Sequence, residues 1–296
     1  MFAKLKFRNR ISEAGKTPRG DDVVELSPWF RKKNITRINK RKIFNASGYD
    51  ELLAPYRDSH ENLRYSDFVR ESEIGERKIL LIRHDVDHDH LTAVRIAEWE
   101  AERGFKATYC LLHTAWYYGI LENGEYRHST DLIECVKRLH ALGHEINFHN
   151  NLVATALREG TDAVEMLRKE LLFFRSLGIA VTGTSTHGDE LCRDLNFRNW
   201  EIFSECCDDR FGGPRTISYD NQGRVNTVEL GAHSMFDFDL EYEGYDVKRD
   251  IYHTDSGGRP RTRYGARGRR PFGRKDESRG EIVGILTHPI WWDFSS

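Results

Sequence analysis

The stretch that decides the fold is KILLIRHDVDHDH, residues 78–90. Its first part, Lys78–Arg83, is an apolar run with β-branched side chains, too short for a helix and bounded by polar residues. It reads as a buried strand. The strand breaks directly into His84, Asp85, Val86, Asp87, His88, Asp89 and His90. Downstream, Thr92–Arg103 carries Ala93, Ile96, Ala97 and Trp99 at helical spacing and stops at Gly104. Ala107–Leu112 reads as a second strand. Ser129–Leu142 sets Leu132, Ile133, Val136, Leu139 and Leu142 on one helical face before Gly143. Glu145–Phe148 is a strand, Thr161–Leu177 an amphipathic helix closed by Gly178, and Ile179–Gly183 and Glu281–Leu286 are further strands. Strands alternating with helices imply a parallel sheet with crossover helices, either a barrel or a doubly wound sheet.

The pattern weakens outside this region. Between 186 and 280, Asn196–Ser204 reads as a helix, Thr227–Leu230 and Asp250–His253 as strands, and the Gly- and Arg-rich Gly257–Gly273 as a loop. Upstream, residues 1–45 are basic and poorly periodic, with a short element at Val23–Leu26. Helices are expected around Tyr49–Tyr56 and Tyr65–Glu71. The chain therefore divides into a basic, partly ordered extension over 1–75 and an α/β domain over 76–296.

Of the 296 residues, 39% are hydrophobic and 31% charged, which allows a sizeable core under a well-solvated surface. The net charge of −2 offers no general case for nucleic acid. Basic residues do cluster before Phe44 and again over Arg259–Arg279. Such clusters either meet phosphate or an acidic glycan, or are solvated segments. The opening MFAKLKFRNR has no apolar signal-peptide core, and no run approaches the ~20 apolar residues of a membrane helix. A cytoplasmic protein without a transmembrane segment is expected. Five cysteines, an odd count without a CxxC pair, argue against a disulfide framework and a cysteine zinc site.

Ligands in parallel α/β folds bind where the strands end. Four of the expected strands end in His or Asp: 78–83 at His84–His90, 145–148 at His149, 179–183 at His187, and 281–286 at His288. Asp and His together suit zinc, and also manganese, iron, cobalt or nickel. Asp85 and Asp87 lie two apart, so an extended chain would put them on one face. One carboxylate then binds a metal while the other handles a proton. His144 more readily begins a strand than binds metal. Trp116, Tyr117, Tyr118, Trp291 and Trp292 follow strand ends, where they would either stack on sugar rings or pack.

These motifs have a familiar order. RHDVD, residues 83–87, resembles the first motif of the polysaccharide deacetylases, in the subgroup with Asp-x-Asp. GHEINFH, residues 143–149, resembles their second motif, and THPIWW, residues 287–292, their last; the segment from Asp255 to Gly258 also resembles one of the subgroup. The resemblance covers about residues 78–295. It implies an irregular (β/α) barrel of about seven units. It makes Asp85 the general base, Asp87 and His149 metal ligands, His288 the general acid, and Asp255 a contact to substrate. One position departs from it: the histidine expected four residues after His149 is Val153. His187, at the next strand end of the same rim, is the candidate third ligand.

The expected function is thus hydrolysis of an N-acetyl group on a sugar, by a site holding one divalent transition metal, most readily zinc. A nucleotide-sugar or lipid-linked intermediate of surface-polysaccharide synthesis would suit a cytoplasmic location. Two other readings stand beside it: a carbohydrate-binding barrel without turnover, and another metal-dependent hydrolase such as a phosphoesterase.

Overall fold

The computed structural model describes residues 23–71, 73–208, 212–267 and 280–295. The N-terminal part holds β1 (Val23–Val24), α1 (Pro28–Asn39), β2 (Phe44–Asn45), α2 (Ala46–Leu53), β3 (Glu61–Leu63) and α3 (Tyr65–Arg70). The middle holds β4 (Ile79–Val86), α4 (His90–Glu102), β5 (Thr108–Leu112), β6 (Gly119–Glu122), β7 (Glu125–Ser129), α5 (Thr130–Ala141), β8 (Glu145–Asn150), α6 (Leu152–Glu159), α7 (Ala163–Ser176) and β9 (Gly183–Thr186). The remainder holds α8 (Glu190–Asp194), β10 (Arg215–Asn221), β11 (Arg224–Leu230), β12 (Tyr242–Glu243), β13 (Arg249–Thr254), β14 (Arg261–Arg267), β15 (Ile282–Thr287) and β16 (Trp292–Asp293).

Nine strands form one curled sheet, a half-barrel, in the order β12-β9-β8-β5-β4-β15-β13-β14, with β3 beside β4. From β12 to β13 every pairing is parallel, and β14 returns antiparallel. β3 borders the first half of β4 and β5 the second, with Glu61 opposite Ile79 and Arg83 opposite Thr108. A closed barrel of seven βα units is not formed among the described residues: β12 and β14 end the sheet without pairing. The two-residue β12 is too short to carry a closing ladder. Side chains bridge there instead, the Arg249 guanidinium donating to Gly244 O (2.8 Å) and Tyr245 O (2.6 Å).

The two-residue pleat sorts the side chains. In β4, Leu80, Ile82 and Val86 face outward into the core shared with α4, α5 and α7, whereas Ile79 and Leu81 face inward. The inner face is closed at the strand-start end by α3: Tyr65, Phe68 and Val69 pack on Ile79, Leu81, Tyr242 and Ile282. Arg83 and Asp85 continue the inward parity above that plug. Two glycines make this interior possible. A Cβ on Gly183 would lie 2.3 Å from the Tyr242 ring, and one on Gly284 would lie 2.4 Å from Arg249 Cδ.

Several expectations change in detail. The strand expected over 179–183 begins only at Gly183, where pairing with β8 and β12 becomes available. The helix expected over 161–177 starts at Ala163, behind an additional helix, α6, that ends at Gly160 in the left-handed region (φ 67°). The helix expected over 196–204 shrinks to a single 3-10 turn, Asn199–Ile202. Part of the expected 257–273 loop is β14; residues 257–260 before it are turn and coil, and 268–273 lie outside the described residues. Residues 23–71 do not stand apart: Leu26, Ile38, Tyr49 and Leu53 lie in the main core and α3 in the second. No described helix is long and apolar enough to cross a membrane. All five cysteines are buried free thiols.

Candidate metal centre

Strand parity and register assemble the site. Inward parity on β8 gives Asn147 and His149, and Leu112 pairs with His149, which pairs in turn with Ser185. On the other flank Leu286 pairs with Arg83 and Thr287 with His84, so His288 follows beside Asp85. β4 ends at Val86, and the chain then turns tightly, with Asp87 N donating to Asp85 O (3.1 Å). The two aspartates are therefore not held together by a shared strand face. They flank His149, whose Nε2 lies 3.2 Å from Asp87 Oδ1 and 3.9 Å from Asp85 Oδ2.

His187 completes a triad. Its Nδ1 is 3.4 Å from Asp87 Oδ1 and 3.2 Å from His149 Nε2. One donor atom from each of Asp87, His149 and His187 falls within 4.8 Å of the others, an arrangement able to hold a metal ion. Two details fit a cation there. Asp87 Oδ1 is buried yet accepts no well-directed hydrogen bond, so the two imidazoles approach it without satisfying it. His149 Nδ1 donates to Ser185 O (2.7 Å), which leaves the Nε2 lone pair aimed at the triad.

Both ligand loops are tied down. The His187 peptide N–H donates to Asn150 O (2.7 Å), extending the β8–β9 ladder, and its carbonyl accepts from Asn199 Nδ2 (3.0 Å). Thr186 N donates to Glu243 (3.1 Å), a carboxyl that burial pushes up to about 7. Tyr117 donates to Val86 O and Trp116 to His88 O, each at 2.7 Å, which fixes the turn carrying Asp87. Trp116, Tyr117 and Tyr118 are thereby buried supports, not exposed stacking surfaces.

The two aspartates live in different surroundings. Asp85 is clamped by buried Arg83 as an ion pair: Nη2 donates to Oδ2 at 3.3 Å, and Nε lies 3.1 Å from Oδ1 without a directed hydrogen bond. Burial pushes its carboxyl up, but the charges of Arg83, His149 and His288 outweigh this and leave it below the usual range. Asp87 has no guanidinium; burial is outweighed by His187 and His149, which hold it well below the usual range. The orphan oxygen belongs to Asp87 and the clamped carboxylate is Asp85.

His288 is backed by Asp255. Its Nδ1 lies 2.6 Å from Asp255 Oδ1, and its peptide N–H donates to the same carboxylate at 3.0–3.1 Å. The Trp292 indole donates to Asp255 Oδ2 (2.6 Å). Burial lowers the imidazole pKa, but the bond and charge of Asp255, with Asp87 and Asp85, raise it to about 9. Asp255 was expected to touch substrate. It is instead 3% exposed, with both oxygens occupied behind His288. Trp292 packs on Phe44 and Tyr49, so its indole is a core group. Trp291 remains half-buried at the edge, against the space beside Gly258.

Val153, at the position of the expected histidine, is fully buried in α6 and outside the triad. His84 and His144 belong to a separate buried network on the outer face. His84 bonds Thr287 (2.6 Å) and Glu100 (2.9 Å), and His144 bonds Ala97 O (3.0 Å). Arg83 and Ser185 are the partners that sequence reading left without a role. No family model matches the chain, and no curated protein or solved structure matches it.

Proposed function

We propose that the chain is a metal-dependent hydrolase that removes an N-acetyl group from a sugar, with zinc as the metal that suits its ligands best. The observation that carries this reading is the triad Asp87–His149–His187, set between a clamped carboxylate, Asp85, and an imidazole held protonated, His288. Three protein ligands with an open side are the usual composition of a catalytic rather than a structural zinc site. A divalent cation bound there would polarise the amide carbonyl and acidify an attacking water.

The side chains divide the proton work. Asp85, ionised at neutral pH, accepts a proton from the water as its oxygen adds to the carbonyl carbon. Arg83 keeps that carboxylate oriented. His288, protonated through Asp255, delivers a proton to the departing amine nitrogen as the C–N bond breaks. One amide and one water become acetate and a free amino sugar. The resemblance to polysaccharide deacetylases assigns the same roles to Asp85 and His288, and His187 answers for Val153.

The test is acetate release from N-acetylglucosamine by protein that is zinc-loaded, chelator-stripped and reloaded. Turnover should vanish on stripping and return with zinc. Asp85→Asn should keep its zinc and lose about 10²–10⁴-fold in turnover. Turnover that is indifferent to chelation or to Asp85→Asn would refute the mechanism.

A further inference from the structure

The basic stretch before Phe44 has no part in that chemistry. Between Glu25 and Asp50 the sequence has seven cations, Arg31, Lys32, Lys33, Arg37, Lys40, Arg41 and Lys42, and no carboxylate. Some are committed. Arg31 pairs with Asp131 (2.6 Å), and Lys42 with Asp89. Arg37 and Arg41 have no side-chain hydrogen bond or ion pair among the described residues.

Their place in the fold matters. Lys42 Nζ, besides Asp89, bonds Thr92 Oγ1 (2.9 Å) and Pro289 O (3.1 Å). The next peptide N–H, of Ile43, donates to Trp291 O (2.8 Å). The chain at 42–43 is thus laced between the segment that follows Asp87 and the turn that follows His288. His88, next to Asp87, is within electrostatic reach of both Arg37 and Arg41. A third unpaired guanidinium follows a glycine that packs on the same segment. Gly258 abuts Ile43 and Trp291, a Cβ on it falling 3.0 Å from Ile43 Cδ1, and Arg259 follows it with no partner among the described residues.

A neutral sugar needs none of this. Packing unpaired cations against the mouth of a site costs mutual repulsion, and guanidinium groups match phosphate and carboxylate oxygens with paired N–H donors. We propose that Arg37, Arg41 and Arg259 form an anion subsite at the mouth of the metal centre, so that the N-acetylated sugar it takes also bears a phosphate or carboxylate. This specificity rests on the deacetylase reading; the anion subsite itself does not.

Calorimetry on the zinc-loaded full chain at low salt tests it with three probes: N-acetylglucosamine, its 1-phosphate, and N-acetylglucosaminuronic acid. At least one anionic probe should bind about ten-fold or more tightly than the neutral sugar, as charge-assisted hydrogen bonds provide. Whichever gains identifies the group. The Arg37→Ser/Arg41→Ser variant, checked for unchanged zinc content and melting temperature, should bring the probes within about two-fold of one another, and Arg259→Ser should remove part of the difference. Equal binding of all three probes overturns the proposal. So does an anion preference that survives both variants, since the anion would then sit on zinc. Arginine-dependent binding without acetate release would keep the subsite and refute the deacetylase. Equal acetate release from neutral and anionic sugars would do the reverse.

Discussion

At the scale of single residues, the centre turns on which imidazole stands beside His149. Val153 is buried in the first turn of α6 and cannot ligate, whereas His187 extends the β8–β9 ladder and reaches Asp87. His187→Ala should therefore weaken zinc binding by about as much as His149→Ala, within a factor of about ten, because each removes one of the three proposed ligands. Competition titration against a zinc chelator measures both; wild-type affinity in His187→Ala would remove it from the set. His288 makes a different prediction. Its pKa is raised above the ordinary value, so it is protonated and able to donate below about 9 and loses that proton above it. A cation at the triad offsets the charges of Asp87 and Asp85, which puts the limb at or below that value. The pH profile of kcat should fall on its alkaline side, and Asp255→Asn should move the fall toward acid by weakening the bond that raises the pKa. A profile flat to pH 10 would exclude His288 as the acid. Asp85, Asp87, His149, His187 and His288 were legible from sequence because each follows an apolar strand-forming run. Asp255 lies 33 positions from His288 and becomes its partner only once β13 and β15 are paired.

At the scale of elements, the least legible piece is α3. Residues 65–71 have aromatic spacing that suggests a helix, but nothing in it says which surface the helix covers. It fills the interior of the curled sheet, with Phe68 2% exposed beneath the inward residues of β4. Phe68→Ala should cost about 3–5 kcal/mol, since a rigid sheet collapses poorly around the void. Urea unfolding followed by circular dichroism would register this; a loss under about 1 kcal/mol, the range of a substitution away from the core, would mean that the plug is dispensable. The late start of β9 has a similar origin. Ile179 and Val181 are apolar enough to suggest a strand, but both pack in the core outside the ladder, and pairing starts where Gly183 lets the Tyr242 ring approach.

For the whole molecule, the expected seam near residue 75 does not coincide with a break in the packing. The segment 23–71 supplies α3 inside the sheet, Leu26, Ile38, Tyr49 and Leu53 to the main core, and Lys42 between the turns that follow Asp87 and His288. Sequence by itself determined the alternation of strand and helix, the parallel sheet, and the strand ends that carry the titratable side chains. These follow from short-range periodicity, which a chain displays before it folds. The tertiary structure alone decided that the sheet, among the described residues, stays open at β12, that His187 meets Asp87 and His149, that Asp255 backs His288, and that Lys42 bonds both the start of α4 and Pro289 O. Each of those depends on contacts between residues far apart in the chain, and no local pattern records them, because they arise only from the order and register in which the strands pair.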